Sequence, residues 1–493
     1  MKPAVKHTLN ILRRTIGYGL LVSFVSIASI AIYVLNQRPD LDVWHEVELD
    51  EEFTERSDLT DFKSYLELEK RLFKQLDDEV YAKTAAGGKK TINRYQRGSM
   101  MDPTKWPTDW NRSFVWDHDE PQAGVLLIHG MSDSPYSLRH FGKTLHDKGA
   151  SVIGLRVPGH GTAPSGLVET TWKDMAAAVR LAAKDLKQRI GDKPLFLIGY
   201  SNGGGLAVIY ALETLEDASL PRPDGLILLS PEIGISKAAS LAVWQGRVGH
   251  WLGLEKLAWN DISIEYDPFK YGSFAVNAGD QAYRVTLEIE KQMVRMEKAG
   301  KLGDFPSLLA FQSGVDATVT APALVSRVFA RLPKKGHELV LFDINRVEVV
   351  EHLLAKDPAD DFVPLLEGPD HPFSISVLTN VSVDGNATPQ VEIRHRKAGQ
   401  SKVVVTPTEL KWPNDTFSLS HVALPFPESD RLYGSGIGED GEVVTTLGNL
   451  ALRGERNTLK IGPGAMLRQK WNPFYPLLEA RTLEFCLGAD SND

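Results

Sequence analysis

The residues best placed to do chemistry are Gly199, Tyr200, Ser201, Asn202 and Gly203. The apolar run 194–198 precedes them and reads as a buried strand, and 204–212 reads as the start of a helix. A serine in the pattern G-x-S-x-G between strand and helix sits on a strained turn that lifts its Oγ clear of the sheet edge. Neighbours packed closely on either side must lack a Cβ, which accounts for the glycines. The helix behind the turn aims free N–H groups and its positive dipole end at developing negative charge. The chemistry this implies is nucleophilic attack by Ser201 on a carbonyl carbon.

A serine hydroxyl is a poor nucleophile near neutral pH, so it needs a histidine base, and the histidine needs an acid to fix its tautomer. Asp316 fits the acid, because it ends the strand-like run at 308–311 through Gln312-Ser313-Gly314-Val315. Asp343 and Asp361 are weaker candidates, in settings less clearly at a strand end. His421 fits the base, in the short apolar loop Ser418 to Pro425. Its competitors are His371, in a loop beside Asp370 and Pro372, and His395, between two arginines. An oxyanion needs two fixed N–H donors. The backbone of Asn202, just after the nucleophile, supplies one. Met131, positioned by Gly130 in the loop after the first long strand, supplies the other. His129 reads as a structural residue of that loop.

These residues need a scaffold, and 493 residues allow one large core with insertions or two to three domains. The formal charge is -9, so the chain lacks the basic footprint of a nucleic-acid binder. The acidity is local: positions 37–80 hold fifteen Asp/Glu against six Lys/Arg. The lone cysteine, Cys486, excludes an internal disulfide and a cysteine-based metal site. No cofactor and no metal are expected.

Positions 16–35 are apolar or small, with no charge between Arg14 and Arg38, long enough to cross a bilayer. Lys2, Lys6, Arg13 and Arg14 precede the run, so the expectation is an uncleaved transmembrane anchor. Residues 1–15 would then be cytoplasmic and the catalytic part outside, in the periplasm if the source is bacterial. A cleaved signal peptide is the lesser alternative. Residues 36–105 read as an acidic neck with a helix near 59–82, marked by Phe62, Tyr65, Leu66, Leu72, Phe73, Leu76 and Val80.

From Trp106 the pattern alternates between strand and helix: strands near 123–129, 151–157, 194–198 and 225–229, with helices near 137–148 and 172–190. Such alternation implies an α/β fold with a mostly parallel sheet and helices on both faces. Residues 106–234 form the first half of this core. Residues 235–306 break the rhythm and read as a helical cap. Residues 307–345 resume the core, with a strand at 308–311, a helix at 321–332 and a strand at 338–342. Residues 346–415 form a β-rich insertion with strand-like pieces at 373–378 and 402–405. Residues 416–488 complete the core, closing on a helix at 474–487.

Taken together, His129-Gly130-Met131-Ser132, Pro158-Gly159-His160-Gly161, the elbow at 199–203, Gly314-Val315-Asp316 and Ser420-His421 resemble the α/β-hydrolase superfamily. The resemblance is to the branch of monoacylglycerol lipases, lysophospholipases, bacterial carboxylesterases and serine-aminopeptidase-like hydrolases, and it covers roughly 106–345 and 415–488. It implies Ser201 as nucleophile, Asp316 as acid, His421 as base, and Met131 and Asn202 as oxyanion donors. It also implies that 235–306 cover the pocket. The family places its histidine a few tens of residues after the acid, whereas here the gap is 105 residues.

The expected activity is therefore that of a membrane-anchored serine hydrolase cleaving small-molecule or lipid carboxylic esters through an acyl-enzyme. The alternatives are a serine aminopeptidase or amidase, with Glu255, Asp261, Glu265 and Asp267 available for a substrate amine, and an inactive hydrolase fold that binds a partner. Trp244, Val248, Trp251 and Leu252 fall at helical spacing and suggest an apolar face in the cap, lining an acyl pocket or touching lipid.

Overall fold

Ala123–Ile128 reads Ala-Gly-Val-Leu-Leu-Ile, with no polar residue to turn toward water, and every position is buried. Alternate side chains serve opposite faces: Leu126 and Ile128 join one apolar core, Val125 and Leu127 the other. A strand covered on both faces belongs at the centre of a parallel sheet. The computed structural model describes residues 14–20, 22, 23, 25, 26, 29, 33, 36–88, 91–234, 255–316, 318–334, 336–347, 354, 356–436, 446–449, 464 and 467–488.

The main sheet contains β1 (Phe114–Trp116), β2 (Ala123–Ile128), β3 (Ala150–Leu155), β4 (Leu195–Tyr200) and β5 (Gly225–Leu229). A separate two-stranded ribbon pairs β6 (Trp259–Asp261) with β7 (Phe274–Ala275). The main sheet continues with β8 (Ser307–Ser313), β9 (Glu338–Phe342), β10 (Ser374–Val383), β11 (Asn386–Arg396) and β12 (Val403–Lys411). Its order is β1-β3-β2-β4-β5-β8-β9-β10-β11-β12. The pairs from β3 through β10 are parallel, while β1, β11 and β12 join antiparallel.

The longer α-helices are α1 (Phe62–Leu76), α2 (Arg139–Asp147), α3 (Trp172–Ile190), α4 (Asn202–Glu213), α5 (Val276–Lys298), α6 (Ala321–Arg327), α7 (Ala359–Glu367) and α8 (Tyr475–Leu487). Thr171 starts α3 with a capping box, exchanging hydrogen bonds with Asp174, and Gly191 ends it at φ 60°. One face of the sheet carries α3, α4 and α5, whose Val179, Leu206 and Ile289 share a core. The other carries α2 and α8 through Phe141, Leu145, Tyr475 and Leu478.

The expected membrane span at 16–35 is described only in part. Among the described residues no helix is long and apolar enough to cross a membrane, which takes about 20 continuous residues. The expectation of a single-pass membrane protein, cytoplasmic at its start with its catalytic domain outside, is therefore corrected. The neck packs against the main core, since Phe53, Phe62, Tyr65 and Leu68 join the same apolar cluster as α3 and α4. Within the stretch expected to be a cap, Val285, Ile289, Met293 and Met296 of α5 also enter that cluster, so this helix is a layer of the core. Residues 235–254, with Trp244, Val248, Trp251 and Leu252, lie outside the described residues.

Candidate active site

Ser201 stands between β4 and α4 at φ 53° and ψ −118°. A non-glycine residue adopts such a backbone only where its surroundings hold it there. Its amide donates to the carbonyl of Leu229 on the neighbouring strand, and its own carbonyl accepts the amides of Gly204 and Glu232. The two glycines of the pattern are sites of close approach. A Cβ on Gly199 would lie 2.5 Å from the carbonyl oxygen of Gly203, and a Cβ on Gly203 would collide with the carbonyls of Ile128 and His129.

The structure brings Ser201, His421 and Asp316 together from three separate parts of the chain. His421 Nδ1 lies 2.8 Å from Asp316 Oδ2, and His421 Nε2 lies 2.9 Å from Ser201 Oγ. All three residues are buried. Burial alone would raise the Asp316 carboxyl, but the hydrogen bond from His421 prevails. With the amides of Val319 and Thr318, it holds the carboxyl below the usual carboxylate range. An ionised carboxylate only accepts, so Nδ1–H donates to Asp316 and Nε2 is left to accept from the Ser201 hydroxyl.

The histidine loop is tied on several sides. Ser313 Oγ donates to the Leu419 carbonyl at 2.9 Å, Tyr200 OH donates to the His421 carbonyl, and Ser420 Oγ donates to the Gln469 carbonyl. The long gap between Asp316 and His421 closes at its base. The insertion begins after β9 at Asn345 and ends at Thr416–Phe417. There the Asn345 amide donates to the Phe417 carbonyl and its side chain to that of Thr416. The insertion 346–415 thus adds β10, β11 and β12 to the sheet without displacing the histidine.

The rival histidines and acids have other partners. His371 spans the carbonyls of Phe373 and Leu365, and His395 meets Ser376 on β10. Asp343 pairs with Arg346, and Asp361 with Lys356. Met131 follows Gly130, where an added Cβ would lie 3.1 Å from Ser201 Cβ, so this loop runs directly against the serine. Asn202 is the first residue of α4, and its N–H is among those a helix leaves unbonded. His129 is structural in its contacts: Nε2 accepts the Val157 amide and Nδ1 therefore donates to the Gly130 carbonyl. Burial, then the adjacent His160, hold its pKa well below the ordinary histidine value. Sequence reasoning missed Ser313, Tyr200 and Asn345 as supports of the histidine loop, since their partners lie roughly 70 to 220 residues away and leave no local signal.

Residues 119–346 match the family described as serine aminopeptidase, S33. The core has the α/β-hydrolase fold. The chain is 27% identical over 220 residues to the phospholipase YtpA of Bacillus subtilis, covering 42% of this chain and 80% of that protein. Against the thermostable monoacylglycerol lipase of a Bacillus species the identity is 36% over 89 residues. That match spans 18% of this chain and only 35% of the lipase. Among solved structures, the monoacylglycerol lipase of Paleococcus ferrophilus is similar at 18% identity and a TM-score of 0.35, covering 47% of this chain and 87% of that one.

No group of His, Cys, Asp or Glu among the described residues is arranged to hold a metal ion.

Proposed function

We propose that the protein is a serine ester hydrolase working through an acyl-enzyme, and that Ser201, His421 and Asp316 are its nucleophile, base and acid. The observation carrying this reading is the hydrogen-bonded line from Asp316 through His421 to Ser201. Ser201 Oγ attacks the ester carbonyl carbon as its proton passes to His421 Nε2. The carbonyl oxygen takes the negative charge and is met by the N–H groups of Met131 and Asn202. Collapse breaks the carbon–oxygen bond, and the departing alkoxide takes the proton from His421. Water then repeats the sequence on the acyl-serine, releasing the acid and restoring the Ser201 hydroxyl. The relatives include a monoacylglycerol lipase and a phospholipase, which favours lipid esters as substrates.

The aminopeptidase reading requires a carboxylate free to hold a substrate amine. Glu265 accepts the amides of Gly272 and Ser273, and Asp267 accepts those of Phe269 and Lys270 as well as the Tyr433 hydroxyl. Both are buried and occupied, whereas Glu255 and Asp261 are exposed. This favours esters over aminoacyl amides. The deciding experiment pairs a fluorophosphonate probe with a panel of acyl esters and aminoacyl amides. Labelling abolished by Ser201→Ala, with turnover confined to esters, is the expected outcome. No labelling of the wild-type protein would mean an inactive hydrolase fold, and turnover of the amides would mean an aminopeptidase or amidase.

A further inference from the structure

Upstream of residue 119, outside the stretch matched by the family, the acidic segment reaches into the loop beside the oxyanion donors. Arg156, at the end of β3, has a fully buried guanidinium. Nη1 and Nη2 donate to both oxygens of Glu52, at 3.0 and 2.9 Å, and Nε donates to Glu69 Oε2 at 3.1 Å. Glu52 Oε2 also accepts the amide of Gly159 at 3.0 Å. Gly159 holds φ +80°, and a Cβ there would lie 2.5 Å from Thr170 Oγ1, so the loop has little room to take another path. Arg156 Nη1 donates to the His160 carbonyl as well, so one carboxylate and one guanidinium pin both sides of the turn 156–160.

This turn bears directly on the oxyanion loop. The Val157 amide donates to His129 Nε2 at 3.0 Å, and the His160 ring packs edge-on against His129 at 5.1 Å. With Nε2 accepting, the proton of the neutral ring lies on Nδ1, which donates to the Gly130 carbonyl at 2.9 Å. That carbonyl and the Met131 N–H belong to a single planar trans peptide and point in opposite directions. Fixing the carbonyl on His129 therefore fixes the direction in which Met131 offers its N–H.

We infer that Glu52 is a positioning residue for the oxyanion hole, acting through Arg156, the turn at 157–160 and His129 on the peptide between Gly130 and Met131. The inference rests on the reading of Met131 N–H as an oxyanion donor. The bidentate geometry matters because a charged fork sets direction as well as distance. Glu69 shares the guanidinium and holds Ser113, whose Oγ accepts the Arg156 amide, so it anchors Arg156 without bonding residues 157–160.

The test compares full-length wild type with Glu52→Ala, Glu52→Gln and Glu52→Asp on a p-nitrophenyl ester. Thermal melting is followed in parallel, and Ser201→Ala serves as control. A misaligned donor weakens the transition state and leaves ground-state binding intact. The expected result for Glu52→Gln is a fall in kcat of about ten- to a hundred-fold with KM within about two-fold. An arylboronic acid, whose adduct on Ser201 places an oxygen in the hole, should lose affinity by a similar factor. Glu52→Asp should recover part of the loss. Should Glu52→Ala unfold, the isosteric Gln variant decides. An unchanged kcat in folded Glu52→Gln, or a loss confined to melting temperature, overturns the inference while Ser201→Ala is inactive. Full activity in Ser201→Ala would instead overturn the reading of the site on which it rests.

Discussion

At the residue scale, the strongest test of the proposed triad is the choice of histidine. His421 lies between Asp316 and Ser201, whereas His371 sits between two backbone carbonyls and His395 against Ser376. Only the first can move a proton to and from the serine hydroxyl. Changing each to Ala in turn should therefore separate them in ester turnover. His421→Ala should cost several powers of ten in kcat, as removal of one member of such a unit does elsewhere. His395→Ala should keep turnover within a few-fold of wild type. A dead His371 or His395 variant beside a working His421 variant would refute the assignment. The serine was legible in the sequence because its glycines, strand and helix are contiguous. The histidine was harder, because the bonds that seat it run to Ser313, Tyr200 and Gln469, and none of these is a neighbour in the chain.

Elements explain what else the sequence hid. Strands buried on both faces, such as β2, β4 and β5, announce themselves as unbroken apolar runs. β11 does not: Asn386–Arg396 carries Pro389, Glu392 and two arginines, and it is a strand because β10 and β12 pair with it on either side. Arg396 reads as solvated charge, yet its guanidinium is buried against Asp370 and the Leu365 carbonyl. The neck hides in the same way, since an acidic surface conceals Glu69 on α1, which is buried against Arg156 and Ser113. Glu69→Ala leaves part of a buried guanidinium unpaired. It should cost about 3–5 kcal/mol in chemical denaturation, unless Glu52 alone suffices for Arg156. A cost under about 1 kcal/mol would show that it does. The base of the insertion makes a second prediction at this scale. Asn345→Ala removes the side-chain bond to the Thr416 carbonyl, five residues before His421. Loosening there should lower kcat for esters by about ten-fold while KM stays near wild type, with the loss read directly in steady-state turnover.

For the molecule as a whole, stability should carry a pH signature from a carboxyl the proposed mechanism does not use. Glu232 follows β5, and its amide donates to the Ser201 carbonyl. Its side chain is buried, and Oε2 has no hydrogen-bond partner among the described residues. Burial pushes its pKa up to about 8. In the unfolded chain a glutamate titrates near about 4.3. Between those values the folded protein holds a proton that the unfolded chain has lost, so the group's contribution is full below about pH 4. It declines as pH rises and is lost by about pH 8. Asp133, which burial raises to about 6, acts in the same direction but is common to wild type and variant, and so cancels in a comparison. Glu232→Gln is neutral in both states and removes the dependence at this one position. The melting-temperature difference, variant minus wild type, should therefore become more positive from pH 5 to pH 8, by several degrees for a group shifted this far. A difference that stays constant across that range would mean that Glu232 is ionised in the folded protein. The buried carboxyl would then need a cationic partner close by, and the face behind the nucleophile would be polar instead of dry.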